Sequence, residues 1–263
     1  MSEIWINVLA SLGIALFFYL LGNWSVISKR YRKRLTRRFW GKGVVGQDFV
    51  ICYGTLRDSR LMPPNRPPQP GDKDYYRYGK RYHDGRDIRL VGPWEGIVGG
   101  CEVRAASYIV NKLSGYRNMP IAVVDDETAF QNLNRTFVAL GSSSSNEITD
   151  LVLQESNNEF LEFGQEGPAT YFIRDKKSGT RFEGFKAPVK KDYGMILKLP
   201  NLRFAGQYFF VCAGLGEWGT SGASWYLATK WRELQQKFGD AFGIVVEVKL
   251  GADESARRVF PVE

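Results

Sequence analysis

Histidine is almost missing: His83 is the only one in 263 residues. A His-rich metal site therefore has nothing to be built from, a Ser-His-Asp triad almost nothing, and no metal-ligand set is expected. His83 lies in a polar stretch and is a poor candidate for a catalytic base. Cysteine is scarce too. Cys52, Cys101 and Cys212 are too few for a disulfide framework, and none belongs to a C-x-x-C pair. They read as small buried hydrophobes, and unpaired thiols suit a reducing compartment. The chain also lacks a Walker A sequence, a G-x-G-x-x-G fingerprint and any internal repeat. What is present is an ordinary globular balance, 44% hydrophobic and 24% charged, which excludes a wholly disordered chain.

The net charge of +8 is confined to one place. Residues 1–42 hold eight basic residues, Lys29, Arg30, Arg32, Lys33, Arg34, Arg37, Arg38 and Lys42, against the single acid Glu3. Residues 43–263 then carry 28 basic and 27 acidic residues, so that region is balanced. No general nucleic-acid-binding surface is expected from such a distribution.

Residues 4–27, IWINVLASLGIALFFYLLGNWSVI, run for 24 positions without a charge. A spanning helix needs about 20 apolar residues. Trp5 and Trp24 are 19 positions apart, about 28 Å along a helix, as interfacial aromatic belts require. A cleaved signal peptide would carry a basic lead and a shorter apolar core. The pattern predicts a retained transmembrane helix over 1–28, a basic juxtamembrane linker over 29–46 with a hinge at Gly41–Gly46, and an α/β ligand-binding domain over 47–263. Basic residues directly after the helix place that domain in the cytoplasm and favour contact with anionic membrane lipid. Asn7, Ser11, Ala15, Phe18 and Gly22 share one helix side, and Ser11 and Ala15 form a small-x-x-x-small pair, which points to a homo-oligomer. An ordinary anchor with incidental small residues is the alternative.

Beyond the linker, apolar runs alternate with amphipathic stretches. Strands are expected at Asp48–Gly54, Pro120–Asp125, Thr136–Gly141, Gln207–Gly214 and Phe242–Leu250. Helices are expected at Gly99–Tyr116, around Glu127–Leu133, after Asn146, and at Gly219–Phe238, where Leu227, Trp231, Leu234 and Phe238 form one stripe. Such alternation predicts an α/β fold with a mainly parallel sheet. Residues 167–200 alternate more closely and read as an antiparallel insertion or edge. Thr55–Gly96, with PPNRPPQP and a Tyr/Arg-rich part, reads as a long loop without regular structure.

Ligands of such sheets bind beyond the carboxyl ends of the strands. That rule selects Tyr53–Leu56, Asp125–Glu127, Gly141–Asn146 and Gly214–Gly222. Ser142, Ser143, Ser144, Ser145 and Asn146 join a strand to a helix, where free amides and hydroxyls favour an anion. A plain N-cap is the other reading. Gly214, Gly216, Glu217, Trp218, Gly219, Thr220 and Ser221 form the second such junction. Glycine there permits close backbone approach to a phosphate or ring, or simply tight helix–sheet packing. Glu217 and Trp218 are candidates for ribose and base. Glu102 and Arg104 lie early in a helix on different faces, one toward a ligand and the other toward solvent or a partner subunit, or both are plain surface charges. Asp125, with Asp126 and Glu127, is placed to bind ribose hydroxyls or Mg²⁺, to act in acid–base chemistry, or to cap a helix.

The order of parts, Ile4–Ile27, then the basic run, then the α/β domain, resembles bacterial membrane-anchored antiphage effectors with a Rossmann-like, CARF-type sensing domain. The resemblance implies a nucleotide second messenger as ligand, a bacterial inner-membrane location and altered membrane integrity as output. It assigns no residue. A membrane-tethered enzyme acting on a nucleotide or NAD-like molecule is the alternative, using Glu217, Asp125 or Glu102. A tethered scaffold whose Tyr/Arg-rich loop recruits a partner is the third.

Overall fold

The computed structural model describes residues 3–54, 78–81, 87–90, 99–116, 120–166, 170–184 and 190–261. Elements follow in the order α1 (Glu3–Trp40), a 3-10 turn (Lys42–Val45), β1 (Phe49–Tyr53), β2 (Tyr78–Arg81), β3 (Asp87–Leu90), α2 (Gly100–Ser114), β4 (Ala122–Asp125), α3 (Asp126–Phe130), β5 (Thr136–Leu140), α4 (Glu147–Leu153), β6 (Leu161–Glu166), β7 (Thr170–Asp175), β8 (Arg181–Glu183), β9 (Lys191–Pro200), β10 (Tyr208–Gly214), α5 (Glu217–Phe238), β11 (Phe242–Lys249) and β12 (Ala252–Phe260).

One seven-stranded sheet runs in the order β12-β11-β9-β10-β5-β1-β4. Strands β4, β1, β5 and β10 are parallel. Strands β9, β11 and β12 complete the sheet in antiparallel pairing. The α/β expectation therefore holds in a mixed form. The insertion differs from the expected residues 167–200 at both ends: β6, β7 and β8, starting at Leu161 and ending at Glu183, make a separate three-stranded sheet, whereas β9 lies inside the main one. Strand β4, whose apolar run suggests a buried strand, is instead an edge with exposed and half-buried positions. Within the stretch expected to be irregular, β2 and β3 pair as a short antiparallel hairpin. His83 and most of that stretch lie outside the described residues.

Both faces of the sheet are covered, which is why β1 and β5 read as continuous apolar runs. One face packs Ile51, Val138, Leu140, Ile196, Phe210 and Ile244 against α2, α5 and the end of α1. The other packs Val50, Cys52, Phe137, Ala139, Phe209 and Val211 under α4 and the small sheet.

Helix α1 is 38 residues long. Among the described residues no single helix is long and apolar enough to cross a membrane, but Leu12–Trp24 and Ser28–Trp40, set at 59° to one another, pass together by length and composition. The side chains of Asn7, Ser11 and Ala15 lie outside those described. Where a linker was expected, the chain stays helical to Trp40. Phe39, Trp40 and Val44 are fully buried in the main core. Gly43 is locked as well, since a Cβ there would stand 2.2 Å from the Asp48 carbonyl oxygen. The folded unit thus begins near Leu35, and Gly41–Gly46 is part of its packing.

Candidate functional site

The chain leaves β1 toward α2 and β4 on one side, and β5 lies on the other side of β1. Strand order therefore reverses between β1 and β5, the position at which open α/β sheets hold ligands. Close backbone packing shapes this point. A Cβ on Gly54 would sit 1.9 Å from the Ser145 carbonyl oxygen, so only glycine lets the end of β1 meet the serine turn. Gly141, at φ +97°, turns the chain out of β5, and a Cβ there would lie 2.5 Å from Glu102 Oε1.

Glu102 is 6% exposed. It belongs to the first turn of α2, and the Gly99 amide donates to its Oε2 at 3.3 Å. Burial raises its pKa from 4.5 to about 7; the amides of Gly99 and Gly54 offset part of that, and the nearby Asp126 charge adds to it. A carboxylic acid that exchanges its proton near neutrality at a strand-end crevice is a candidate functional group.

The serine turn divides its labour. Asn146 is spent on structure: its Nδ2 donates to the carbonyls of Leu140 at 2.9 Å and Cys52 at 3.3 Å, and its Oδ1 accepts from the amides of Ile148 and Thr149. That ties β1, β5 and α4 together and caps the helix. Ser145 turns inward and donates to the Ser142 carbonyl. Ser142, Ser143 and Ser144 instead line a cavity of about 470 Å³, together with Gly214, Leu215 and Phe163, Gly164, Gln165 and Tyr171 of the small sheet. Its volume is that of a small-molecule site. The described lining carries hydroxyls, an amide and aromatic rings, and no charged side chain.

The glycine junction is built differently from a phosphate cradle. Asp192, 2% exposed on β9, accepts from the Gly219 amide at 2.7 Å and also from the amides of Gly216 and Trp218. The N-terminus of α5 thus already holds a carboxylate of this chain, where an anion was expected to bind. Gly214 and Gly219 serve tight packing: a Cβ on Gly219 would stand 2.3 Å from the Tyr193 carbonyl oxygen, and one on Gly214 2.4 Å from the Thr220 nitrogen. Thr220 Oγ1 accepts from the Gly214 amide at 2.9 Å. Glu217 is exposed in the first turn of α5.

Three of the expected site residues meet elsewhere. Arg104 donates to Asp253 Oδ2 and to Ser221 Oγ, each at 3.2 Å, and its guanidinium stacks 4.4 Å from the Trp218 ring. Tyr108 donates to the same Asp253 oxygen at 3.0 Å, and Ser221 to Oδ1 at 2.5 Å. This cluster fastens α2, α5 and β12 around one buried carboxylate. Asp125 caps α3 by accepting from the Thr128 amide at 2.7 Å. Asp126 reaches the Glu147 amide at 3.0 Å.

Burial pushes the thiols of Cys101 and Cys212 up to about 11 and about 12, and that of Cys52 higher still, so all three are protonated and unreactive near neutrality. Sequence reasoning missed Phe163, Gln165, Tyr171, Asp192 and Asp253. Only Phe163 left a signal, as an apolar residue two positions after Leu161 in a strand-like stretch. Compared with known proteins, the chain matches no family model, no curated protein and no solved structure.

Proposed function

We propose that this chain is a membrane-anchored sensor at the bacterial inner membrane whose cytoplasmic Rossmann-like domain binds a nucleotide-type ligand and acts on the membrane as a homo-oligomer. The observation that carries it is α1. Its residues Leu12, Ile14, Leu16, Phe17, Phe18, Tyr19, Leu21 and Trp24 are exposed around the helix, yet the same helix ends as Phe39 and Trp40 inside the domain core. A helix apolar on all sides needs lipid or protein around it. The basic residues after Ile27 favour the cytoplasmic side. At the opposite end of the sheet lies the uncharged cavity of Ser142–Ser144, Phe163, Gln165 and Tyr171. Its rings and polar groups suit a base and sugar. Phosphates find no such partner at α5, whose amides Asp192 occupies.

The test uses the full chain in detergent with a panel of nucleosides, nucleotides and cyclic oligonucleotides. A binder at 100 times its Kd adds about 2.7 kcal/mol to stability and raises the Tm. Tyr171, 49% exposed, offers a probe: Tyr171→Ala is expected to leave the unliganded Tm nearly unchanged and to reduce the ligand shift. A panel without any shift, or a shift untouched by Tyr171→Ala, refutes the assignment. Product formation would favour the tethered enzyme, for which Glu102 is the specific observation.

A further inference from the structure

The β9–β10 turn presents an apolar tip beside the foot of α1. Leu202 is 62% exposed and Phe204 40% exposed. The tip is braced rather than loose. The Asn201 amide donates to the Gln207 carbonyl at 2.9 Å, Asn201 Oδ1 accepts from the Arg203 amide at 3.0 Å, and Asn201 Nδ2 donates to the Leu133 carbonyl at 3.1 Å. The Lys42 amide donates to the Gly206 carbonyl at 3.0 Å, joining this turn to the chain that leaves α1. The tip therefore lies at the same end of the sheet as the basic run, and opposite the cavity.

We infer that Leu202 and Phe204 form a second, reversible contact with an anionic lipid surface, next to the anchoring helix. This rests on the membrane reading of α1. Charge supports it. Arg37, Arg38, Lys42 and Arg203 are exposed at this end. Asp48 and Asp240 oppose them there, and Glu155 pairs with Arg203 at 3.5 Å. Geometry supports it too. With Leu12–Trp24 along the bilayer normal, the step from Trp24 to Ser28 adds about 6 Å and Ser28–Trp40, about 18 Å long and bent by 59°, about 9 Å, so Trp40 stands about 15 Å beyond Trp24. The headgroup layer takes up about 6 Å of that, and an ordinary tilt of the spanning helix brings the tip down to it. An exposed Leu/Phe pair flanked by cations suits that interface, where apolar side chains insert and basic ones meet anionic headgroups.

The experiment places the full chain in nanodiscs of either neutral or 30%-anionic lipid. A polarity-sensitive dye is attached at Leu202→Cys or at Leu250→Cys, an exposed position at the opposite end of the sheet, in a Cys101→Ser background. In anionic discs the dye at 202 is expected to shift to the blue, with about twofold stronger quenching by brominated acyl chains than at 250. High salt or neutral lipid is expected to reduce the difference, and Phe204→Asp to abolish it while the Tm is kept. Equal, water-like emission at both positions in disc-bound protein overturns the docking proposal and leaves the anchor standing. A chain absent from the disc fraction overturns the anchor itself, and the docking proposal with it.

Discussion

Replacing Glu102 by Gln isolates the cost of a buried carboxyl group in the first turn of α2, beside the ends of β1 and β5. Its pKa rises from 4.5 to about 7 because burial disfavours the charged form. The folded chain therefore holds this proton where the unfolded chain has released it. Stability falls as pH rises from 4.5 to about 7, and the loss is complete above that. At about 1.4 kcal/mol per pH unit, the loss amounts to about 3 kcal/mol. Glutamine keeps the shape and one oxygen for the amides of Gly99 and Gly54, and cannot ionise. Glu102→Gln is thus expected to be close to wild type at pH 4.5 and about 2–3 kcal/mol more stable at pH 8. The assay is denaturant unfolding of the full chain in detergent at half-unit pH steps, with the variant curve subtracted from wild type. Subtraction matters because Asp192 is shifted upward too, again chiefly by burial. A difference curve that stays flat between pH 4.5 and 8 refutes the reasoning.

Further outcomes follow from the same geometry. Gly219→Ala forces a Cβ to 2.3 Å from the Tyr193 carbonyl oxygen; it is expected to cost about 1–3 kcal/mol, visible as a lower Tm without ligand. Phe39→Ala empties a site ringed by Trp40, Phe210, Trp231 and Phe242, and is expected to cost about 3–5 kcal/mol in denaturant unfolding. Arg104→Ala removes the cation from the buried Asp253 and should cost about 2 kcal/mol, whereas Ser221→Ala should leave that pair in place and cost less. Lys198 is buried against Phe39 and Tyr208, and burial lowers its pKa to about 8. The unfolded chain binds that proton more tightly, so the Lys198 contribution to stability rises between pH 8 and 10.5. A wild-type minus Lys198→Met comparison that shows no such rise would contradict it.

Strands buried on both faces were readable because nothing polar interrupts them: β1, β5, β10 and β11 fall within the expected stretches. The stripe Leu227, Trp231, Leu234 marked α5 for the same reason. Strand β12, ADESARRVF, was invisible because an edge strand tolerates charge and shows no apolar period. The serine and glycine stretches do join strands to helices as expected, while the contacts their side chains make were only half legible. Serine and asparagine at a strand–helix turn are compatible with a cap or a contact, and here Asn146 caps while Ser142–Ser144 face a cavity. Glycine-rich sequence at α5 does not reveal that a carboxylate 27 positions earlier reaches the Gly219 amide. Arg104 and Asp253 are 149 positions apart and nothing local pairs them.

The burial of Phe39 and Trp40 sets an order of events during synthesis. Both aromatics leave the ribosome early, whereas their neighbours Phe210, Trp231 and Phe242 follow about 170–200 residues later, a delay of about 10–40 s at ordinary elongation rates. Until then the apolar end of α1 has no core to enter. The nascent chain must shield it by transient contacts or a chaperone, and the domain closes around a helix made long before the rest of it.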